Sequence, residues 1–290
     1  MQYNDQARLD PSQMGSSRGT GGKVAVGGGV GLIVMILAML FGFNPGDLLG
    51  SAPAPGGGQQ TQDDRFAHCQ SGADISKDRD CRFVAYTNSI QSFWSQALSG
   101  YQPTKTNIFT GQVQTACGVA TSQVGPFYCP GDATVYLDTG FFDQLQSQLG
   151  AQGGDAAEAY VIAHEYGHHI QNLTGVMDKV QRAGQQTGPA SPQVRLELQA
   201  DCYAGAWMRN ATSDPNSPIA KITQDDLNRA VDAAIAVGDD RIQERTQGRV
   251  DRESWTHGSS ADRKKWLATG FNSGDPNKCN TFSSGAAVGS

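Results

Sequence analysis

The stretch from Asp155 to Gly175, DAAEAYVIAHEYGHHIQNLTG, constrains this chain most, because it places His-Glu-x-x-His on a single helix. Ala156, Ala159, Ala163, Ile170 and Leu173 recur at helical spacing, which predicts an amphipathic helix. Asp155 followed three residues later by Glu158 reads as a capping-box-like start, and Gly175 as the stop. On such a helix His164 and His168 lie one turn apart on one face, where two imidazoles can reach one tetrahedral metal ion. Glu165 stands about 100° further round, beside that metal and placed to handle protons. A pattern of five residues also arises by accident, so the rest of the chain has to support it.

A second helix is predicted to begin with Ser191 as its cap and Pro192 in its first turn, PQVRLELQADCYAGAWMRNA. Glu197 and Asp201 lie four apart on one face among Leu198, Ala200, Ala204 and Gly205, a surface small enough to pack closely on another helix. The plain alternative is an exposed acidic pair. Against it, the segment is otherwise largely apolar apart from Arg195, and a buried carboxylate there needs a metal or a cation. Glu197 is therefore the expected third zinc ligand, and Asp201 the expected acceptor for a ligand histidine's other N–H. A third histidine in the spacing H-E-x-x-H-x-x-G-x-x-H is excluded, because Gln171 and Thr174 hold those places. His169 is about 140° round the helix from His164 and reads as a polar residue near the helix end. His68, beside Cys69, reads as structural. His257, between Thr256 and Gly258 on a loop, is a candidate catalytic group for a developing oxyanion, with a structural histidine as the alternative. Asp239 and Asp240 either orient such a group or cap turns.

Ahead of these helices, residues 1–23 are polar and rich in Gly, Ser and Gln, and read as a disordered cytoplasmic tail. Residues 24–43 carry no charge over twenty positions, long enough for a transmembrane anchor. The rival is a cleavable signal peptide, for which Ala52 and Ala54 form only a weak site followed by Pro55. Arg8, Arg18 and Lys23 precede the span, whereas the Pro/Gly-rich linker 44–62 holds Asp47 and no base. That asymmetry predicts a single-pass membrane protein with the N-terminus cytoplasmic and the main domain extracytoplasmic, periplasmic or extracellular. The six cysteines all follow the span and suit three disulfides. Cys69 with Cys81 and Cys117 with Cys129 close short loops, which leaves Cys202 with Cys279. A cysteine zinc site is the competing idea, but no C-x-x-C spacing occurs. A net charge of −6 argues against nucleic acid as a partner.

With 38% hydrophobic residues among 290, the chain can bury a sizeable core. Phe83, Tyr86, Ile90, Phe93, Trp94 and Leu98 predict a helix over 79–98 with a bulky face, strands are expected within 107–115 and 126–138, and helices over 139–149 and 223–237. A strand ahead of the metal-site helix either offers its edge to an extended peptide or is an ordinary buried hairpin. Residues 283–290 are small and expected to fray.

ACG at 116–118, GPFYCPGD at 125–132, VYLD at 135–138, AHEYGHHIQ at 163–171, ELQADCYAG at 197–205, VGDDRIQ at 237–243 and THGSS at 256–260 together resemble the putative neutral zinc metallopeptidase family of bacterial membrane-anchored proteins. Glu-x-x-x-Asp following His-Glu-x-x-His is similar to the gluzincin pattern. The resemblance implies a zincin fold, one zinc ion on His164, His168 and Glu197, and Glu165 as general base. The expected architecture is α+β and mostly helical, a zincin-like domain over 63–282 with a small β-sheet, preceded by one transmembrane helix. The expected function is that of a membrane-anchored zinc metalloendopeptidase acting on peptide or protein substrates. The alternative is a zinc-stabilised, membrane-tethered scaffold that binds cell-envelope proteins and cuts nothing. An intact Glu165 disfavours it, since a structural zinc has no use for a base or an open fourth position.

Overall fold

The computed structural model describes residues 1–18 and 64–289. The chain opens with β1 (Gln2–Tyr3) and β2 (Met14–Arg18), and after the one-turn helix α1 (Gly72–Ile75) comes α2 (Arg79–Ala97). Five short strands follow: β3 (Lys105–Thr110), β4 (Gln112–Thr115), β5 (Gly118–Thr121), β6 (Phe127–Cys129) and β7 (Thr134–Asp138). The rest is helical apart from β8 (Ile219–Lys221): α3 (Gly140–Ser147), α4 (Asp155–Leu173), α5 (Val176–Arg182), α6 (Pro192–Asn210), α7 (Gln224–Ala236), α8 (Asp239–Gln247) and α9 (Ser260–Ser273). The result is a mostly helical α+β architecture with small sheets.

Helix α4, which carries the His-Glu-x-x-His motif, is buried at every position from Ala156 to Gln171, so the amphipathic helix read from sequence is instead an axis enclosed on all sides. The reason lies in its alanines and Gly167, whose small side chains let α6, α7, α2 and the sheet close in around it. The capping box expected at its start does not form. Gly154 precedes the helix, the Tyr3 hydroxyl donates to Asp155 Oδ2 at 2.6 Å, and Glu158 pairs with Arg79 at 2.6 Å. At the other end Gly175 follows in the left-handed conformation, φ 71°. α6 starts as its sequence predicts, with the Ser191 hydroxyl accepting from the Val194 N–H and Pro192 in the first turn.

The main sheet has the order β2-β3-β7-β6, with β2, β3 and β7 parallel and β6 antiparallel to β7. β6 is its outer strand on the side of α4. Phe83, Tyr86, Ile90 and Trp94 from α2 join Ile162 and Tyr166 from α4 and Trp207 from α6 in the core. A smaller cluster of Phe109, Val113, Phe127 and Tyr136 lies under the β4–β5 hairpin. The bridges are Cys69–Cys81, Cys117–Cys129 and Cys202–Cys279.

The expectation for the N-terminal end is corrected. Residues 1–18 are not a loose tail: β1 pairs antiparallel with β8, β2 extends the main sheet beside β3, and Leu9 and Met14 are buried in the core. Backbone pairing supplied from distant strands orders a segment that has no apolar period of its own. The expected preceding transmembrane helix, 24–43, lies outside the described residues, and no described helix is long and apolar enough to cross a membrane. The single-pass localisation, with the N-terminus on one side and the domain on the other, is overturned too, since residues 1–18 hydrogen-bond into the same body as residues 64–289. Near the other end, Trp266 Nε1 donates to the Ala287 carbonyl at 3.3 Å and the Gly289 N–H to Asp262 Oδ2 at 2.8 Å.

Candidate metal centre

α4 and α6 meet almost backbone to backbone, for a Cβ on Gly167 would lie 2.9 Å from Ala200 Cα. The same offsets on the two helices, three residues before the contact and one after it, are held by His164 and His168 on one and by Glu197 and Asp201 on the other. The crossing thus brings the two pairs together. His164 Nε2 is 3.2 Å and His168 Nε2 3.6 Å from Glu197 Oε2, and the three ligand atoms lie within 4.8 Å of one another. Donors about 2.0–2.2 Å from a tetrahedral zinc ion stand roughly 3.3–3.6 Å apart, so the donor types and the two spacings to Glu197 suit that metal.

Behind the ligand atoms each histidine has a partner for its other nitrogen. His164 Nδ1 lies 2.9 Å from Asp201 Oδ1, which also accepts from the Tyr160 hydroxyl at 2.6 Å. Arg263, from α9, grips the same carboxylate with Nε and Nη2, each at 2.9 Å. His168 Nδ1 lies 2.9 Å from Gln171 Oε1. Burial alone would raise Asp201, but Arg263 and His164 overcome it and hold the carboxyl below the ordinary range. Burial would likewise lower His164, yet Asp201 and Glu197 lift it to about 9 in the metal-free chain. Glu197 is driven well below the ordinary carboxylate range, because His168, His257 and His164 together outweigh its burial.

Glu165 and His257 face the same cleft, which encloses about 660 Å³ including its open mouth and is walled by apolar residues such as Phe141, Val161 and Ile242. Burial pushes the Glu165 carboxyl upward against the pull of His168 and His164. His257 is raised, since Glu197 and Asp239 offset a burial that would lower it. Asp239, at the start of α8, fixes the loop: its Oδ2 accepts the N–H groups of Thr256, His257 and Gly258 at 2.7, 2.6 and 2.9 Å, and its Oδ1 is 3.4 Å from His257 Nδ1. Asp240 does something else, accepting from the Ser260 N–H and hydroxyl at the start of α9. His169 is buried away from the ligand atoms, with Nε2 donating to the Gln102 carbonyl at 2.7 Å. His68 pairs with Asp78 on the surface, and Cys69 and Cys81 beside it are bridged, so no thiolate is left there for a metal.

Tyr160, Gln171 and Arg263 are absent from the residues picked out by sequence. Tyr160 stands four before His164 and Gln171 three after His168, so helical spacing carries a signal for both. Arg263 has none, since it reaches Asp201 only through the packing of α9 on α6.

A family model described as putative neutral zinc metallopeptidase matches residues 4–282. The chain is 47% identical over 251 residues to the uncharacterized protein Rv2575 of Mycobacterium tuberculosis (strain ATCC 25618 / H37Rv), covering 85% of each chain. It is 39% identical over 290 residues to the uncharacterized protein YpfJ of Escherichia coli (strain K12), covering 96% of this chain and 95% of the relative. No solved structure matches it significantly.

Proposed function

Given that the chain belongs to the putative neutral zinc metallopeptidase family, we propose that it is a zinc-dependent endopeptidase whose cleft cuts peptide or protein chains, with one zinc ion on His164, His168 and Glu197. The observation that carries this reading is the convergence of two imidazole nitrogens and one carboxylate oxygen beside a buried glutamate in an open cleft. A zinc ion there supplies Lewis acidity that polarises the scissile carbonyl and acidifies the attacking water. Glu165 takes the proton from that water as it attacks and later delivers it to the leaving amine. His257, braced through its backbone by Asp239, donates a hydrogen bond to the carbonyl oxygen as negative charge collects there. β6 is the outer strand of the sheet among the described residues, and its outer edge is where an extended substrate would pair, with Pro126 just before it lining the cleft.

The decisive variant is Glu165→Gln, which keeps the side chain's size and removes its basicity. Zinc content should stay near that of the unaltered protein, while hydrolysis of an unfolded protein substrate falls by at least about a hundredfold. Full hydrolysis by this variant, or hydrolysis by the unaltered protein that survives complete chelation, rules the mechanism out.

A further inference from the structure

The two histidines of the site are backed in different ways. His164 leans on a carboxylate clamped by a guanidinium, whereas His168 leans on a neutral amide, Gln171, which is completely buried. An amide presents either a donor or an acceptor, depending on which way it faces. Gln171 Nε2 is 2.7 Å from the Leu196 carbonyl and 3.1 Å from Gln199 Oε1. The reversed amide would set two oxygens 2.7 Å apart, so the nitrogen faces Leu196 and Oε1 faces His168. Gln199 is fixed by the same logic, because its Nε2 donates to the Cys279 carbonyl at 2.9 Å and its Oε1 must therefore face Gln171. The chain of donors runs in one direction, from His168 to Gln171, to Gln199, to a backbone carbonyl. Cys279 is itself bonded through sulfur to Cys202 on α6.

We propose that Gln171 is the positioning residue for His168, holding the ring proton on Nδ1 and turning the Nε2 lone pair to the metal position, with Gln199 and the Cys279 carbonyl fixing which way Gln171 faces. The effect on zinc affinity rests on the zinc reading above; the position of the proton does not.

The test uses the full chain and the variants Gln171→Leu, Gln199→Leu, the double variant and Gln171→Glu. Nitrogen-15 spectra of histidine-labelled, metal-free protein with neutral imidazoles read the tautomer. The unaltered protein should carry the His168 proton on Nδ1. In Gln171→Leu the proton should move toward Nε2, where it can donate to Glu197. Gln171→Glu keeps an acceptor for His168 while losing both of its own donated bonds, and should preserve the Nδ1–H form. A role confined to packing would instead make both substitutions equally damaging. By chelator competition, zinc should bind about 10–100-fold more weakly to Gln171→Leu. Gln199→Leu should show a smaller loss, and the double variant should be no weaker than Gln171→Leu, since the two amides act through one chain. If Gln171→Leu does not fold, Gln199→Leu still reads the relay, since it touches neither imidazole. A proton on Nε2 in the unaltered protein, an unchanged tautomer in Gln171→Leu, or fully additive losses overturn the proposal. An Nδ1–H tautomer in a protein that binds no zinc overturns the zinc reading and leaves the relay standing.

Discussion

Asp201 shows at the scale of one residue how a buried charge is kept. Its carboxylate is wholly inside the protein, and four donors meet it: His164 Nδ1, the Tyr160 hydroxyl, and Arg263 Nε and Nη2. The planar guanidinium matches both oxygens at once, which an ammonium cannot do. Arg263→Met should therefore strip the buried anion of its guanidinium partner and cost about 3–5 kcal/mol, read as a lower midpoint in urea unfolding of the metal-free protein. An unchanged midpoint would mean that Tyr160 and His164 suffice. At this scale the sequence is legible where partners share a helix: the one-turn separation of His164 and His168 follows from 3.6 residues per turn. It is silent about Arg263, 62 residues beyond Asp201.

Between elements, the Gly167–Ala200 contact decides whether the proposed zinc ligands meet. A Cβ at Gly167 would fall 2.9, 3.0 and 3.2 Å from Ala200 Cα, Cβ and O, and backbone cannot move aside as a flexible side chain can. Gly167→Ala should push α6 away from α4, costing about 1–3 kcal/mol in stability and weakening zinc binding at least about tenfold, as Glu197 draws back from the two imidazoles. Gly285→Ala, where an added Cβ meets nothing, is the control. A zinc affinity that survives Gly167→Ala would show that the crossing has slack. Sequence marks α6 as able to pack tightly through its small residues, yet helix spacing alone does not say which helix it meets or at which residue. The failed capping box at Asp155 has the same origin: Tyr3 and Arg79, far away in the chain, compete for the two carboxylates and win.

Over the whole molecule, residues 1–18 bind the N-terminal end of the chain to both the sheet and the helical part. β2 covers the edge of β3, β1 covers β8, and Tyr3 reaches the first residue of α4. Deleting 1–18 should expose a strand edge and remove Leu9 and Met14 from the core, each worth about 1.5–3 kcal/mol of burial. The expected result is a clear fall in melting temperature, measured with zinc present and absent. An unchanged melting temperature would detach this segment from the domain. The Cys202–Cys279 bridge acts on the same scale, closing a separation of 77 residues, for which loop entropy gives on the order of 4–5 kcal/mol.

What the sequence by itself determined is local or countable. The helix that carries His164, Glu165 and His168, the cap at Ser191, the four-residue spacing of Glu197 and Asp201, and an even set of cysteines are all readable, because each depends on neighbours in the chain or on parity. Only the tertiary structure decided that α4 is enclosed on every side, that Arg263 neutralises Asp201, that Gln171 faces His168, and that the first eighteen residues complete a sheet. Each of these depends on a partner far away in the chain. A hydrogen bond or close contact across such a distance leaves no periodic trace in sequence, since its geometry exists only once the helices and strands have packed.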